Sequence, residues 1–267
     1  MTWIIGSASI FGSAILVSDI CVTFTNSDGT ERQIDCLQKI YPLGRFVIGG
    51  FAGSVRIGFD TLEILQREFA NSPLDAAWDV NIAAHTWLSR VIRRVFCDAP
   101  EYEQKLGSSI ILASAHPTKN RGDLPCSWTD IHIFKSPDFD PVVADPLEMV
   151  AIGSGNAATA YMDAIRALRT DTGFLKAAIM DNKAEQASLL AHIVSTRLKS
   201  APISGVSTMF QIGVVTRGKC IIGDHEYTVH KHDGRKIKHI FPPIARSRNE
   251  YEARIRELSC VAEAAKC

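Results

Sequence analysis

Residues 1–19 read MTWIIGSASIFGSAILVSD, two short apolar runs separated by a glycine. The runs are rich in β-branched and aromatic residues, which predicts a strand, a tight connection at Gly12 and a second strand through Asp19. Removal of Met1 would leave Thr2 as an N-terminal threonine. That residue carries a hydroxyl that can attack a carbonyl and an amine, of pKa about 7.7–8.0, that can accept its proton. The stretch therefore indicates a candidate nucleophile at the head of a strand, although a Met-Thr start is equally compatible with a plain first strand.

The composition predicts a soluble globular protein. The chain has 267 residues, 46% of them hydrophobic and 22% charged, which is enough to bury a full core. Its 29 basic and 29 acidic residues cancel, which argues against a strongly basic surface that binds nucleic acid. The apolar opening has no basic leader and is interrupted by serines. Neither a secretion signal nor a membrane span is therefore predicted.

Seven cysteines occur, at positions 21, 36, 97, 126, 220, 260 and 267, without a Cys-x-x-Cys pair. This odd number of separated thiols is typical of a reduced protein in the cytoplasm. His225, His230 and His232 lie near one another in sequence but lack further ligands at suitable spacing, so we interpret them as surface histidines. The basic run 231–238 lacks interleaved aromatics and is interpreted as a solvated loop. No metal site, no cofactor and no nucleic-acid or membrane partner is predicted.

The predicted elements come in segregated blocks: strands, two helices, strands, two helices, strands and a final helix. Strands are expected at 2–9, 13–24, 34–41, 45–52, 108–115, 127–134, 148–153, 207–215 and 220–230. Helices are expected at 55–69, 75–96, 156–168, 183–199 and 246–265, and 116–126 is expected to be an exposed hairpin loop. This order favours stacked layers of the α+β class over a doubly wound parallel sheet. We predict one domain over 1–245 and a helical extension over 246–267 that either braces a neighbouring subunit or caps its own domain.

Three separate stretches resemble one family. The run FVIGGFAGS, residues 46–54, resembles the Gly-Phe-Ala-Gly element between strand and helix in proteasome β-type subunits and in the bacterial two-component proteasome-like peptidase. The run MVAIGSGNAATAYMDA, residues 149–164, resembles their Ala-Ile-Gly-Ser-Gly turn into a helix. Thr2 and Asp19 resemble the nucleophile strand and its acidic partner. The resemblance spans residues 2–215 and implies the four-layer αββα sandwich of the N-terminal-nucleophile hydrolases.

The resemblance implies a threonine-type peptidase, a hydrolase without a cofactor that cleaves a peptide or protein substrate within a homo-oligomer. Any unfoldase partner is left unidentified. In this reading Thr2 attacks, Asp19 organises the site, and the Gly53 N–H stabilises the oxyanion. Ser154 would hydrogen-bond near the threonine amine, or cap the following helix. Ser204, with the glycine that follows it, matches the Ser-Gly pair of the family.

The resemblance also implies residues that bind the substrate. Thr23 matches a backbone position that holds an extended peptide by strand addition. Four further positions would line an apolar specificity pocket, although each is equally explained as core: Val22, Ile34, Phe51 and Val55.

Three positions depart from the family pattern. Alignment on Ile40 and Tyr41 puts Cys36 where the catalytic lysine is expected, and Lys39, three residues on in a strand, is predicted to point to the opposite face. Ala201 stands where a second aspartate is expected. Cys21 stands where an arginine is frequent. These departures favour an alternative, a non-catalytic proteasome-like subunit with a structural or regulatory role, and an amidase for a small substrate is a third possibility.

Overall fold

The structure is a computed structural model that describes residues 2–9, 11–25, 29–71, 80–123, 125–167, 172, 183–225, 227–230, 236–239 and 241–264. Its strands are β1 (Trp3–Ala8), β2 (Ser13–Asp19), β3 (Cys21–Thr25), β4 (Glu31–Asp35), β5 (Ile40–Gly44), β6 (Val47–Gly53), β7 (Ser108–Asn120), β8 (Ser127–Lys135), β9 (Val142–Val143), β10 (Met149–Gly153), β11 (Phe210–Thr216), β12 (Cys220–Asp224), β13 (Tyr227–His230) and β14 (Lys236–His239). Its helices are α1 (Val55–Asn71), α2 (Val80–Ala83), α3 (Ser89–Asp98), α4 (Glu101–Gln104), α5 (Thr159–Ala167), α6 (Lys183–Ser200) and α7 (Arg248–Ala264).

Two five-stranded sheets contain most of the strands. Sheet I has the order β10-β1-β2-β11-β12, and sheet II has the order β5-β6-β7-β8-β9. Neighbouring strands in both sheets run antiparallel. Two hairpins, β3-β4 and β13-β14, form separate two-stranded sheets. The prediction of an α+β chain, and not a doubly wound parallel sheet, is confirmed.

Three apolar clusters hold these elements together. One draws side chains from both sheets, for example Ile4 and Leu16 of sheet I with Ile48 and Ile111 of sheet II. A second joins sheet II to α1, α2 and α3, and a third joins sheet I to α5 and α6. One cluster thus contains side chains from both sheets, and each of the other two contains side chains from one sheet and from helices, because the strands carry apolar residues on both sides of the pleat.

Helix α1 follows the predicted stripe closely. Phe59, Leu62, Leu65 and Phe69 recur at helical spacing and are all at least nine-tenths buried. A Cβ at Gly58 would lie 2.2 Å from the Phe51 ring, so this glycine lets the helix sit directly on β6. Residues 75–79 of the second predicted helix lie outside the described residues; the described part of that helix is α2, a π-helical turn over Ala84–Leu88 and α3.

Three of the predicted strands are broken in the structure. The one expected at 220–230 is divided into β12, in sheet I, and β13, in a separate hairpin. The expected strand at 13–24 ends at Asp19 and resumes at Cys21 in the separate hairpin. The backbone N–H groups of both Cys36 and Leu37 donate to the Ile20 carbonyl, and these hydrogen bonds stabilise the interruption of the strand at Ile20. The expected strand at 34–41 is likewise interrupted between Asp35 and Ile40.

Other boundaries also differ from prediction. The expected loop at 116–126 is partly strand, since β7 runs to Asn120. The expected helix at 156–168 begins as a 3₁₀ turn over Ser154–Ala157, with α5 starting at Thr159.

The predicted extension begins by packing on its own chain. The Ala245 N–H donates to the Cys36 carbonyl over 2.7 Å, and Arg248 Nη1 lies 2.6 Å from Asp60 Oδ1 on α1. Tyr251 packs against the cluster between sheet II and its helices. Among the helices in the described ranges, none combines the length and the apolar character needed to cross a bilayer.

Candidate active site

The Gly-Ser turn after β10 holds Thr2 by its backbone. The Ser154 N–H donates to the Thr2 carbonyl over 2.7 Å, where β1 and β10 pair in register. Gly153 has a φ of 87°, and a Cβ there would lie 1.9 Å from the Thr2 oxygen. Only glycine therefore permits this approach of the two strands. Gly155 leaves room for the Trp3 ring in the same way, since a Cβ at Gly155 would lie 2.2 Å from that ring.

Asp19, at the end of β2, is a fully buried carboxylate with several donors. Its Oδ1 accepts the Trp3 N–H at 2.7 Å, so the residue that follows Thr2 is tied to it directly. Its Oδ2 accepts the N–H groups of Cys21 at 3.0 Å and Ser207 at 3.3 Å. Backbone donors stabilise a buried carboxylate and fix its orientation.

Lys39 completes this carboxylate's surroundings. Its Nζ lies 3.0 Å from Asp19 Oδ1, and it also donates to the Cys21 carbonyl. The side chain is 1% exposed, so the two charges form a buried ion pair. The prediction that Lys39 points away from the site, with Cys36 in the position of the lysine, is wrong.

The reason for that error is that β4 and β5 do not form one continuous strand. Alternation of side chains between two faces holds only along a continuous strand. Residues 36–39 are not part of a strand, and the chain turns there while it bonds to Ile20 and Ala245. Cys36 instead lies fully buried among the side chains that join sheet II to its helices.

A cleft of about 560 Å³ opens beside Thr2. Four residues that the sequence singled out share its wall: Thr2, Thr23, Gly53 and Ser154. Gly53 ends β6 with a φ of 96°, and a Cβ there would lie 2.3 Å from the Gly107 carbonyl oxygen. The remaining wall residues are Thr25, Glu31, Ala52, Leu106, Gly107, Ser108, Ser109, Ser136 and Gly153.

The four residues expected to form an apolar specificity pocket lie elsewhere. Val22 and Phe51 are buried, and Ile34 and Val55 half-buried, in the cluster between sheet II and its helices. The cleft wall itself is rich in serine, threonine and glycine. The structure therefore places these four in the core, the alternative already open in the sequence, and not in the cleft wall.

The structure brings Ser207 to Asp19, whereas Ser204, which the resemblance pointed to, has a different partner. Ser204 is exposed, and its hydroxyl accepts a hydrogen bond from Gln33 Nε2 at 2.9 Å, away from Asp19. Ser207 reaches Asp19 through its N–H and Asp35 through its hydroxyl, which donates to Oδ2 over 2.7 Å. Ala201 is exposed just after the end of α6. Sequence reasoning missed the roles of Ser207 and Lys39, because only long-range contacts bring them to Asp19 at the end of β2.

The thiols near the site are poor nucleophiles. Burial, together with the neighbouring Asp19 charge, raises the pKa of Cys21 to about 11, and burial raises the pKa of Cys36 to about 11. Both therefore remain protonated at neutral pH. The five cysteines whose side chains are described carry free thiols.

His225 is buried, which corrects its interpretation as a surface histidine; burial lowers its pKa, as does nearby His192. His232 lies outside the described residues. Within the described ranges, no three potential ligand side chains are grouped as a metal ion would require.

The arrangement places a threonine in the wall of a cleft and a buried ion pair against the strand that follows it. A hydroxyl lies at the edge of a cleft, on a strand held from both sides by Ser154 and Asp19. A buried ammonium lies on the same carboxylate oxygen that binds the Trp3 N–H.

Comparison with protein-family models and with curated protein sequences gave no match.

Proposed function

We propose that the chain is a proteasome-like threonine-type peptidase of the N-terminal-nucleophile class. The observation that carries the proposal is the buried Lys39–Asp19 pair, in which Asp19 Oδ1 also accepts the N–H of the residue after Thr2. A buried ion pair adds little net stability compared with apolar packing of the same volume. Its presence against the strand that follows Thr2 is therefore better explained by chemistry.

The mechanism begins once Met1 has been removed. The Thr2 hydroxyl attacks the peptide carbonyl, and its proton passes to the free Thr2 amine, directly or through one water. The carbonyl oxygen becomes an oxyanion, which the Gly53 N–H stabilises. The protonated amine then gives its proton to the departing peptide nitrogen as the carbon–nitrogen bond breaks.

The second half of the reaction regenerates the enzyme. The product of the first half is an ester between the substrate acyl group and the Thr2 oxygen. Water, deprotonated by the Thr2 amine, attacks that ester, and the carbon–oxygen bond breaks to release an acid and free Thr2. Lys39 lowers the cost of negative charge on the threonine oxygen in both halves, and Ser154 orients the amine.

The fold proposed with this activity is the four-layer αββα sandwich. Support comes from the three apolar clusters, one between the sheets and one on the helical side of each sheet. We further propose a cytoplasmic homo-oligomer that acts on peptides or unfolded protein, with no cofactor. Whether an unfoldase feeds it is left open.

The alternative of a non-catalytic subunit has lost one of its two supports. Lys39 supplies the ammonium whose absence was inferred from Cys36. Ala201 still stands where a second aspartate is expected, and it is exposed after α6. An amidase for small substrates would use the same Thr2 chemistry and differ only in what enters the cleft.

Intact mass, a peptide panel and an epoxyketone probe test the proposal together. The probe forms a stable adduct only with a residue that carries both a free amine and a neighbouring hydroxyl. We expect loss of Met1, an adduct on Thr2, and turnover that T2A abolishes and T2S partly retains. Retention of Met1, or turnover unchanged in T2A, would overturn the proposal; an adduct with hydrolysis only of small amides would favour the amidase.

A further inference from the structure

Asp35 and Ser207 form a second connection to the Asp19 carboxylate. Asp35 ends β4 and lies directly across the hairpin from Cys21. Its Oδ2 accepts the Ser207 hydroxyl proton at 2.7 Å. The same hydroxyl oxygen accepts the Met209 N–H at 2.9 Å, so both its donor and its acceptor functions are used. These bonds hold the segment that leads into β11.

The consequence of holding this segment is seen at Asp19. The Ser207 N–H donates to Asp19 Oδ2 at 3.3 Å, while Asp19 Oδ1 binds Lys39 and the Trp3 N–H. A continuous chain of hydrogen bonds thus runs from Asp35 through Ser207 and Asp19 to the strand that carries Thr2. Asp35 is not part of the cleft wall, so it acts through this chain and not on a substrate.

We infer that Asp35 is a positioning residue, whose carboxylate holds Ser207 so that the Ser207 N–H orients Asp19, which binds the N–H of the residue after Thr2. It supplies from β4 a second carboxylate for the site, where Ala201 offers none. The catalytic consequence rests on the proposed function. The structural part, the dependence of the Ser207 N–H on Asp35, stands independently of it.

The ionised Asp35 carboxylate lowers the stability of the fold, and a positioning role explains its presence. Burial raises the pKa of its carboxyl, and so does the nearby Asp19 charge, while the Ser207 hydroxyl, Lys39 and Cys21 oppose the increase. A raised pKa means that stability falls as the pH rises through it, because the ionised form is disfavoured in the fold. Substitution by asparagine is therefore expected to leave the protein at least as stable at neutral pH.

The experiment compares D35A, D35N, S207A and the double variant D35A/S207A with the wild-type chain. D60N is the matched control, since Asp60 is also a hydrogen-bonded carboxylate but contacts Arg248 on α7. We expect D35A and S207A each to lower kcat about 10-fold with KM unchanged, and the double variant to lose no more than either single one. D35N, which retains an acceptor for the Ser207 hydroxyl, should recover most of the loss, and D60N should match the wild type.

Amide hydrogen exchange at Ser207 provides a readout that needs no turnover. D35A should speed exchange of this N–H about 10-fold or more, and D35N should not. Unchanged Ser207 exchange in D35A overturns the inference, as do additive losses of kcat or a loss confined to KM. A wild-type chain without Thr2-dependent turnover would refute the proposed function, while the exchange result would still decide the link between Asp35 and Ser207.

Discussion

The turns at Gly53-Ser54 and Gly153-Ser154 have the same backbone design and different uses. Each follows a strand, each begins with a glycine at positive φ, and each serine N–H donates to a carbonyl from another part of the chain. The acceptor is Gly107 for Ser54, at 3.0 Å, and Thr2 for Ser154, at 2.7 Å. The first turn thus secures a loop, and the second secures the candidate nucleophile.

The two serine side chains differ as well. The Ser54 hydroxyl accepts the Ile57 N–H at 3.1 Å, which caps α1, and donates to Glu103 Oε2 at 2.6 Å. In the second turn Gly153 takes the cap position, and its cap makes no side-chain hydrogen bond. The Ser154 side chain is thus not the helix cap and lies instead at the cleft wall. The same motif therefore supplies a helix cap after one strand and a residue of the cleft wall after the other.

The largest difference in stability is expected between substitutions of two carboxylates. Asp19 binds the strand that follows Thr2, and Glu103 binds the Ser54 hydroxyl. D19N leaves the Lys39 ammonium buried without its counter-charge, which should lower the free energy of unfolding by about 3–5 kcal/mol. E103Q keeps an acceptor for the partly buried Ser54 hydroxyl and should cost about 1 kcal/mol or less. Denaturant unfolding of both variants measures the contrast. Equal losses would mean that the Lys39–Asp19 pair is not buried as described.

The glycine of the second turn gives the next effect. G153A places a Cβ against the Thr2 carbonyl and forces Thr2 to move, so turnover should fall about 100-fold, as expected for a misplaced catalytic group. G122A is the control, because Gly122 also has positive φ, at 58°, but a Cβ there meets nothing within 4 Å. It should cost about 1 kcal/mol of stability and no activity. Steady-state kinetics with thermal unfolding separate the two; activity retained in G153A contradicts the assigned use of the turn.

Exchanging the two serines for alanine tests the divided roles directly. S54A removes the cap of α1 and should lower stability by about 1–2 kcal/mol without changing kcat. S154A should leave stability within about 0.5 kcal/mol of the wild type and lower kcat about 10-fold. The reverse pattern, with the activity loss in S54A, would show that the two turns have been assigned the wrong way round.

The smallest expected effect concerns the cleft in which both glycines lie. Glu31 is exposed, faces Thr25 across the hairpin and carries the one charge among the wall residues of the described chain. Peptides with Lys or Arg should therefore be preferred, and E31Q should weaken kcat/KM for them about threefold at low salt, with less effect at high salt. A panel of basic, apolar and acidic fluorogenic peptides measures it. A preference for apolar peptides that E31Q leaves unchanged would contradict this expectation and support the apolar specificity pocket predicted from the sequence.

Local sequence signals were sufficient where the backbone itself imposes the residue type. Glycines at positions 53 and 153 are required because positive φ and close carbonyls exclude a side chain, so their motifs could be recognised. The helical stripe of α1 was likewise readable from spacing alone. Lys39 and Ser207 could not be found in this way, since neither lies near its partner Asp19 in sequence.

The sequence by itself therefore determined the α+β class, the position of Thr2 at the head of a strand, and the two glycine turns, because these depend on local backbone chemistry and periodicity. Only the tertiary structure decided that Lys39, and not Cys36, reaches Asp19, and that the Ser207 N–H also binds this carboxylate. The physical reason is that a break of a few residues between β4 and β5 abolishes side-chain alternation. The direction of the Lys39 side chain is then set by the long-range hydrogen bonds of this segment to Ile20 and Ala245.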